Sequence, residues 1–141
     1  MIKSTMQLTP SDVCINIMPL FHIHGLVVNV LASISAGSTV ICTQGLMGGV
    51  TAQSFIDRLV KEPFKPTWYS AVPTMHQLIL LQGEALANQG QIVDHTLHTI
   101  RNCSAALLPA VSERMEVLFK GAAILPTYAM TESMPICSNP R

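Results

Sequence analysis

The chain has 141 residues, of which 49% are hydrophobic and only 11% are charged, and eight basic residues balance eight acidic ones. This length and composition indicate one globular unit at most, and the lack of a strongly basic segment argues against a nucleic-acid-binding protein. No Asp, Glu, Lys or Arg lies between Asp12 and Asp57. Proline, histidine and asparagine interrupt that stretch before it reaches the roughly 20 apolar residues that cross a bilayer, so we predict no transmembrane segment.

The first half of the sequence alternates between strand and helix patterns. Short β-rich runs are followed by longer apolar segments that are poor in turn residues, and Pro19, Gly37 and Pro63 mark the ends of elements. In chain order the patterns predict a strand at residues 13–18, a buried helix at 24–36, a strand at 38–43, a turn at 45–49 and a helix between Thr51 and Pro63.

The second half continues the same alternation. The patterns predict a strand at residues 66–72, a helix at 74–88, a loop at 90–95, a strand at 98–104, a helix between Pro109 and Gly121 and a strand at 122–128. Strands that are nearly continuous apolar runs and that alternate with helices are typical of an α/β fold. We therefore predict a parallel sheet with helices on both faces.

The four cysteines, Cys14, Cys42, Cys103 and Cys137, lack the short paired spacing of zinc sites and small disulfide frameworks. Most of them stand in apolar, strand-like surroundings. We predict free thiols that are buried as small hydrophobic side chains in a reducing compartment. Polar residues after Lys3 replace the apolar core of a secretory signal, so the predicted compartment is the cytosol.

Polar and chemically active side chains concentrate at the predicted strand ends. In parallel α/β sheets, ligands bind beyond the carboxyl ends of the strands. We therefore predict that four separate segments converge on one cleft, namely residues 22, 70–74, 104–107 and 128–132.

Two alternatives follow from the residues alone. His22 and His24 could be a metal-binding pair within a His/Cys module, although on a strand both would point to one face without a third ligand in view. Thr131 and Glu132 could begin a helix, because such side chains are frequent at helix starts.

Two segments carry a resemblance to a known family. Met18-Pro19-Leu20-Phe21-His22-Ile23-His24-Gly25 and Tyr128-Ala129-Met130-Thr131-Glu132-Ser133, in this order, resemble core motifs of the adenylate-forming, or AMP-binding, acyl-CoA synthetases. The resemblance implies a ligase that uses ATP and Mg²⁺ to activate a carboxylic acid as acyl-AMP and then transfers the acyl group to CoA. These small molecules are the partners that it implies.

The resemblance also assigns roles to residues. It implies that Tyr128 stacks on adenine, Thr131 bonds the α-phosphate, Glu132 helps to hold Mg²⁺ and His22 lies beside the acyl carboxylate. A hard cation prefers carboxylate oxygen, and an anionic phosphoryl group requires donors and a metal, so these residue types suit the chemistry. The remaining nucleotide-binding residues that it implies are Ser104, Ala105, Ala106, Ala129 and Met130.

Within the family, the motifs are most similar to the oxalate–CoA ligase branch of peroxisomal-type CoA synthetases, which makes the peroxisome an alternative compartment. Many members of that branch carry a histidine three residues beyond the Thr-Glu pair, where this chain has Pro135. This departure predicts weaker selectivity for oxalate.

Other parts of the family pattern have no counterpart in the sequence. These are the phosphate-binding loop with its lysine, the ribose-binding aspartate and the mobile domain with the catalytic lysine. We therefore expect residues 1–141 to be an incomplete portion of the large N-terminal AMP-binding domain, without a second domain and inactive without the remainder of the enzyme. The alternative is a non-catalytic remnant that retains at most adenine or protein binding.

Overall fold

The computed structural model describes residues 2–43 and 51–140, and the turn predicted at 45–49 lies outside them. Six strands within these residues form one mixed sheet in the order β2-β1-β3-β4-β5-β6. Strands β1 to β5 are parallel, whereas β6 is antiparallel to β5. The strands are β1 (Val13–Asn16), β2 (Thr39–Cys42), β3 (Trp68–Ala71), β4 (Thr99–Asn102), β5 (Ala123–Met130) and β6 (Ser133–Ser138).

The helical segments after β1 connect the parallel strands, and three of the helices begin at residues that favour a helix start. Pro73 and Pro109 occupy first helical turns, and the side chain of Thr51 accepts a hydrogen bond from the backbone N–H of Ser54 at 3.1 Å. The helices are α1 (Ile2–Thr5), a π-helical segment (His24–Leu31) that runs into α2 (Ala32–Ser35), α3 (Ala52–Lys61), α4 (Pro73–Asn88) and α5 (Pro109–Leu118).

Both faces of the sheet are covered, as the sequence predicts. Phe55 of α3, Ile79 of α4 and Met115 of α5 are completely buried in the larger apolar core on one face. A smaller core on the other face includes Met6 after α1 and Trp68 of β3. Burial of these side chains is the main source of stability.

The sheet differs from the prediction near the carboxyl terminus of the chain. Strand β6 has no counterpart in the sequence prediction, because Ser133–Ser138 is a polar, proline-containing edge strand without a continuous apolar run. Strand β5 extends to Met130, and Thr131 and Glu132 form the turn before β6. The alternative in which Thr131 and Glu132 begin a helix is therefore wrong.

Strand β1 ends at Asn16, two residues before the predicted end. The side chain of Asn16 donates to the carbonyl of Met18 and accepts from its N–H, both at 3.1 Å. These two bonds replace the sheet ladder and turn the chain toward Pro19.

The cysteines divide by their position in the sheet. Cys14 and Cys103 are buried, whereas Cys42 and Cys137, which lie on the two edge strands, are exposed. The prediction of buried thiols is therefore wrong for Cys42 and Cys137, because an edge strand is covered on one side only. Within residues 2–43 and 51–140, no helix is long and apolar enough to cross a membrane.

Candidate active site

Two adjoining cavities lie at the carboxyl ends of the parallel strands. We refer to a larger cavity of about 510 Å³ and a smaller cavity of about 160 Å³. Ser104 and Ala129 line both of them. The larger cavity is also lined by Asn102, Ala105, Ala106, Leu107, Pro126, Thr127, Tyr128, Cys137 and Asn139. The smaller cavity is also lined by His22, Ile23, His24, Cys103, Met130, Thr131 and Met134.

The larger cavity lies between the segment that follows β4 and the end of β5. The Asn102 side chain donates to the carbonyl of Ala105 at 2.8 Å, which folds the chain tightly after β4. Ser104 in this turn has a positive φ of 76°, which is rare outside glycine. Ala105 and Ala106 are small and exposed, and Tyr128 is a residue that is 61% exposed. The cavity therefore has a backbone-rich wall opposite an accessible aromatic side chain.

The smaller cavity lies between the loop after β1 and the turn after β5. His22, an exposed residue, lines it from the loop, and Met130 and Thr131 line it from the end of β5. Glu132 occupies the next position in the turn and is exposed, but it lines neither cavity.

Three of the four segments that were predicted to converge therefore meet at these cavities. Residues 70–74 line neither of them. Ser70 points instead into a buried polar cluster behind the smaller cavity.

Backbone contacts hold the loop that carries His22. The N–H of His22 bonds the carbonyl of Pro19 at 3.2 Å, and Nδ1 of His22 accepts from the N–H of His24 at 3.1 Å. Gly25 packs directly against the carbonyls of Met18 and Pro19. The loop therefore folds back on itself before the π-helical segment begins.

The buried polar cluster consists of His24, Asn29, Ser70 and Arg101, which are all 1% exposed or less. Nε2 of His24 lies 2.6 Å from Oγ of Ser70, and Nη1 of Arg101 lies 3.5 Å from the same oxygen. The side chain of Asn29 donates to Oδ1 of Asn16 at 2.8 Å, which links the cluster to the end of β1. The cluster joins the His22 loop to strands β3 and β4.

Two buried histidines are uncharged in the folded protein. Burial, followed by the nearby Arg101 charge, lowers the pKa of His24 to about 3. Burial lowers the pKa of His76 to about 4, although the backbone groups of Ala71 and Arg101 oppose the shift. Nδ1 of His76 lies 3.1 Å from the hydroxyl of Tyr69 on the opposite face of the sheet. The pKa of an ordinary histidine is near 6.5. As the pH falls, both histidines are therefore protonated in the unfolded chain at a higher pH than in the folded protein.

We therefore expect the free energy of unfolding to fall as the pH decreases. The unfolded state binds more protons between pH 6.5 and about 4, so each histidine should cost about 3 kcal/mol across this window. Urea unfolding followed by circular dichroism at pH 7.5, 6.5, 5.5 and 4.5 measures the loss. His76→Gln should reduce the pH dependence, and a stability that is constant over this range would contradict the prediction.

Sequence reasoning missed several residues that line the cavities. Met134, Cys137 and Asn139 come from β6 or directly after it, and no pattern in the sequence predicted this strand. The position of Asn102 in the cavity wall could have been predicted, since Asn102 precedes the Cys-Ser-Ala-Ala segment at a strand end.

Position 135 needs a correction of a different kind. Pro135 lines a separate depression beside Val27 and Leu31, whereas its neighbour Met134 lines the smaller cavity. Pro135 does not line the smaller cavity, so no contact supports the expectation that position 135 controls selectivity.

The metal-binding alternative also lacks support in the structure. Among residues 2–43 and 51–140, no three His, Cys, Asp or Glu side chains come close enough to hold a metal ion together. His24 contacts Ser70, and only His22 of the pair is exposed. The two histidines do not form a common ligand pair.

Comparison with known proteins identifies the family. A family model described as "AMP-binding enzyme" matches residues 1–141. An oxalate–CoA ligase of Arabidopsis thaliana is 40% identical over 138 residues, which cover 98% of this chain and 25% of the relative. A probable CoA ligase of Humulus lupulus is 40% identical over 140 residues, covering 99% and 25%. The chain belongs to the AMP-binding enzyme family.

A solved structure supports the fold independently. A malonyl-CoA ligase with methylmalonyl-CoA and AMP bound superposes with a TM-score of 0.80 at 26% identity. The match covers 99% of this chain and 28% of the solved one. The chain therefore spans about a quarter of the length of the relatives that it matches.

Proposed function

We propose that the protein carrying this chain is an ATP-dependent acid–CoA ligase that acts on a small carboxylic acid. The observation that carries the proposal is the pair of adjoining cavities that share Ser104 and Ala129. A reaction between a nucleotide and an acid requires two binding sites in contact, so that the reacting atoms are held together. Relatives that are CoA ligases support the same chemistry.

The larger cavity is the proposed adenylate site. Its volume of about 510 Å³ lies within the roughly 300–1,000 Å³ range of ligand pockets. Tyr128 would stack on adenine, while Ala105 and Ala106 would let the backbone approach the ring. Met130 and Thr131 would continue this wall toward the phosphates. The AMP named in the structurally similar malonyl-CoA ligase supports this assignment.

Mg²⁺ would sit where Thr131 and Glu132 follow β5. Magnesium keeps several waters and is usually held by one or two carboxylates together with substrate phosphates, so a single exposed Glu132 suits it. The bound ion would neutralise charge on the phosphates. The hydroxyl of Thr131 would donate to the α-phosphate from the wall of the smaller cavity.

The smaller cavity is the proposed acid site. At about 160 Å³ it is smaller than pockets for drug-sized ligands, which favours a short acid such as oxalate. His22 would lie beside the carboxylate. One carboxylate oxygen would attack the α-phosphorus of ATP as pyrophosphate leaves, and the thiol of CoA would then displace AMP from the acyl carbon. We propose the cytosol or the peroxisome as the compartment.

Acid-dependent exchange of pyrophosphate into ATP tests the proposal. The protein that carries this chain, in its natural length, should catalyse exchange with at least one of oxalate, malonate, acetate or propionate. Omission of the acid or of Mg²⁺ should abolish the signal. Nucleotide binding without exchange for any acid in a wider panel would overturn the ligase proposal and favour a remnant that retains adenine binding.

A further inference from the structure

Helix α4 carries apolar side chains on its outer face as well as on the face that packs on the sheet. Met75, Ile79 and Leu80 are buried in the larger core. On the outer face, Leu78 is 53% exposed and Leu81 is 58% exposed. A surface helix normally turns polar and charged residues to solvent, whereas a helix that is apolar all round is normally covered on every side. The outer face of α4 is therefore expected to pack against a further element.

The exposed positions along this face have the spacing of a seam between two helices. They alternate between steps of four and three residues, which is the a and d spacing of a coiled coil. We refer to them as the α4 stripe, which consists of Thr74, Leu78, Leu81, Ala85 and Asn88. The centre of the stripe is apolar and its two ends are polar. The stripe therefore suits a second helix that lies along α4.

The two flanks of the α4 stripe are electrically neutral. On the side of α3, Nε2 of Gln82 donates to Oε1 of Gln53 at 2.7 Å. On the side of α5, both carboxylate oxygens of Glu84 accept hydrogen bonds from Arg114, which balances their charge. Glu84 is the only Asp, Glu, Lys or Arg within α4. A charged partner would find no opposite charge here, whereas two copies of the stripe can meet without like-charge repulsion.

The order of the side chains favours a second copy in the antiparallel orientation. In a symmetric antiparallel pair centred on Leu81, each Leu81 meets its counterpart, Leu78 lies over Ala85 and Thr74 lies over Asn88. Large side chains then face small ones, so the space between the helices is filled, and polar ends meet polar ends. A parallel pair would place Ala85 against Ala85 and leave a gap. The antiparallel order also brings opposite ends of the two helix dipoles together.

We propose that two copies of the protein form a symmetric dimer through the α4 stripe, with the two α4 helices antiparallel. Helix α4 has 16 residues and is about 24 Å long, so one helix pair does not reach the roughly 800 Å² per partner of a standard interface. Ile92 and Val117, which are 90% and 82% exposed, line a surface groove of about 420 Å³ near the end of α4 and add apolar surface. We therefore expect a reversible dimer with a Kd in the micromolar range. The stripe lines neither cavity of the candidate active site, so the inference is independent of the proposed ligase function.

Sedimentation velocity of the natural-length protein that carries this chain tests the proposal. The wild type should shift from monomer to dimer as its concentration rises. Leu81→Glu and Leu81→Lys should each abolish the dimer, because each substitution places two like charges at the centre of the pair. An equimolar mixture of the two variants should form the dimer again, because opposite charges then meet at that position.

Disulfide cross-linking tests the orientation of the two helices. In a mixture, mild oxidation should join Leu78→Cys to Ala85→Cys faster than it joins either variant to itself. Wild-type protein under the same conditions measures the background from the exposed thiols of Cys42 and Cys137. Faster linking of each variant to itself would overturn the antiparallel arrangement.

Phe64→Glu is the matched control for the stripe variants. Phe64 is 63% exposed but lies after α3, outside the stripe, so this variant should form the dimer as the wild type does. Thermal unfolding should show an intact fold for Leu81→Glu, because Leu81 is exposed in a single copy and glutamate is a good helix former.

The concentration dependence of the wild type does not rely on the folding of any variant. A wild-type protein that stays monomeric at every concentration would overturn the proposal, and would indicate that another segment of the longer polypeptide or a different protein covers the stripe. A dimer that Leu81→Glu leaves unchanged would also overturn it, because the two copies would then meet through another surface.

Discussion

Replacement of Glu132 by Gln should slow acid-dependent pyrophosphate exchange about 100-fold or more. The change keeps the size of the side chain but removes the carboxylate charge that would hold Mg²⁺ beside the phosphates. Thr131→Val should slow the same step, because it removes a hydroxyl donor that would act where charge develops. Exchange rates measured across a range of Mg²⁺ concentrations should show a higher metal requirement for Glu132→Gln.

A second glutamate serves as the matched control. Glu113 is exposed on α5 and lines neither cavity, so Glu113→Gln should behave as the wild type. The affinity for the acid should change little in Glu132→Gln. Wild-type exchange rates in both Glu132→Gln and Thr131→Val at all Mg²⁺ concentrations would show that the assigned roles are wrong.

Gly25→Ala should destabilise the protein by about 1–3 kcal/mol and impair the proposed acid site as well. An added Cβ would lie 2.7 Å from the carbonyl oxygen of Met18 and closer still to that of Pro19. Both contacts are with backbone, which cannot rotate away as a side chain can. Relief of the clash would move the loop that carries His22. Urea unfolding and the KM for the acid measure the two effects.

Gly83→Ala provides the comparison for this substitution. Its Cβ would meet the end of the Leu118 side chain, which is flexible, and alanine is a better helix former than glycine within α4. We expect the loss of stability to be clearly smaller than for Gly25→Ala. Equal stabilities of Gly25→Ala and the wild type would contradict the packing described for the loop.

The sequence predicted the parallel part of the sheet because short β-rich runs alternate with helical segments, although the buried strand β4 (Thr99–Asn102) contains Arg101 and Asn102. Strand β3 (Trp68–Ala71) is buried at every position, because both faces of the sheet are covered there. A strand of this kind needs no alternation of apolar and polar residues to be recognised. Strand β6 is different, since an edge strand next to solvent needs no apolar pattern and tolerates Pro135. The walls that β6 contributes to the cavities were therefore not predictable from local pattern.

The candidate site shows the same division. Ser104 and Thr131 follow parallel strands, and topology alone brings such strand ends to one edge of the sheet. His24 and Ser70 are 46 positions apart, and their hydrogen bond depends on how the π-helical segment packs on β3. No spacing rule encodes that contact. The sequence therefore predicts which residues border the cavities more readily than it predicts which side chains point into the protein interior.

Ser104 and Ala129 line both cavities, and this shared wall limits how such a protein can be re-engineered. A bulkier side chain at either position would intrude on both cavities, the proposed nucleotide site and the proposed acid site, so new selectivity gained there should be accompanied by weaker ATP binding. His22, Ile23 and Met134 line the smaller cavity and not the larger one. Mutant libraries that aim at a different acid should vary Ile23 and Met134, keep His22 for the reacting carboxylate, and leave Ser104 and Ala129 unchanged.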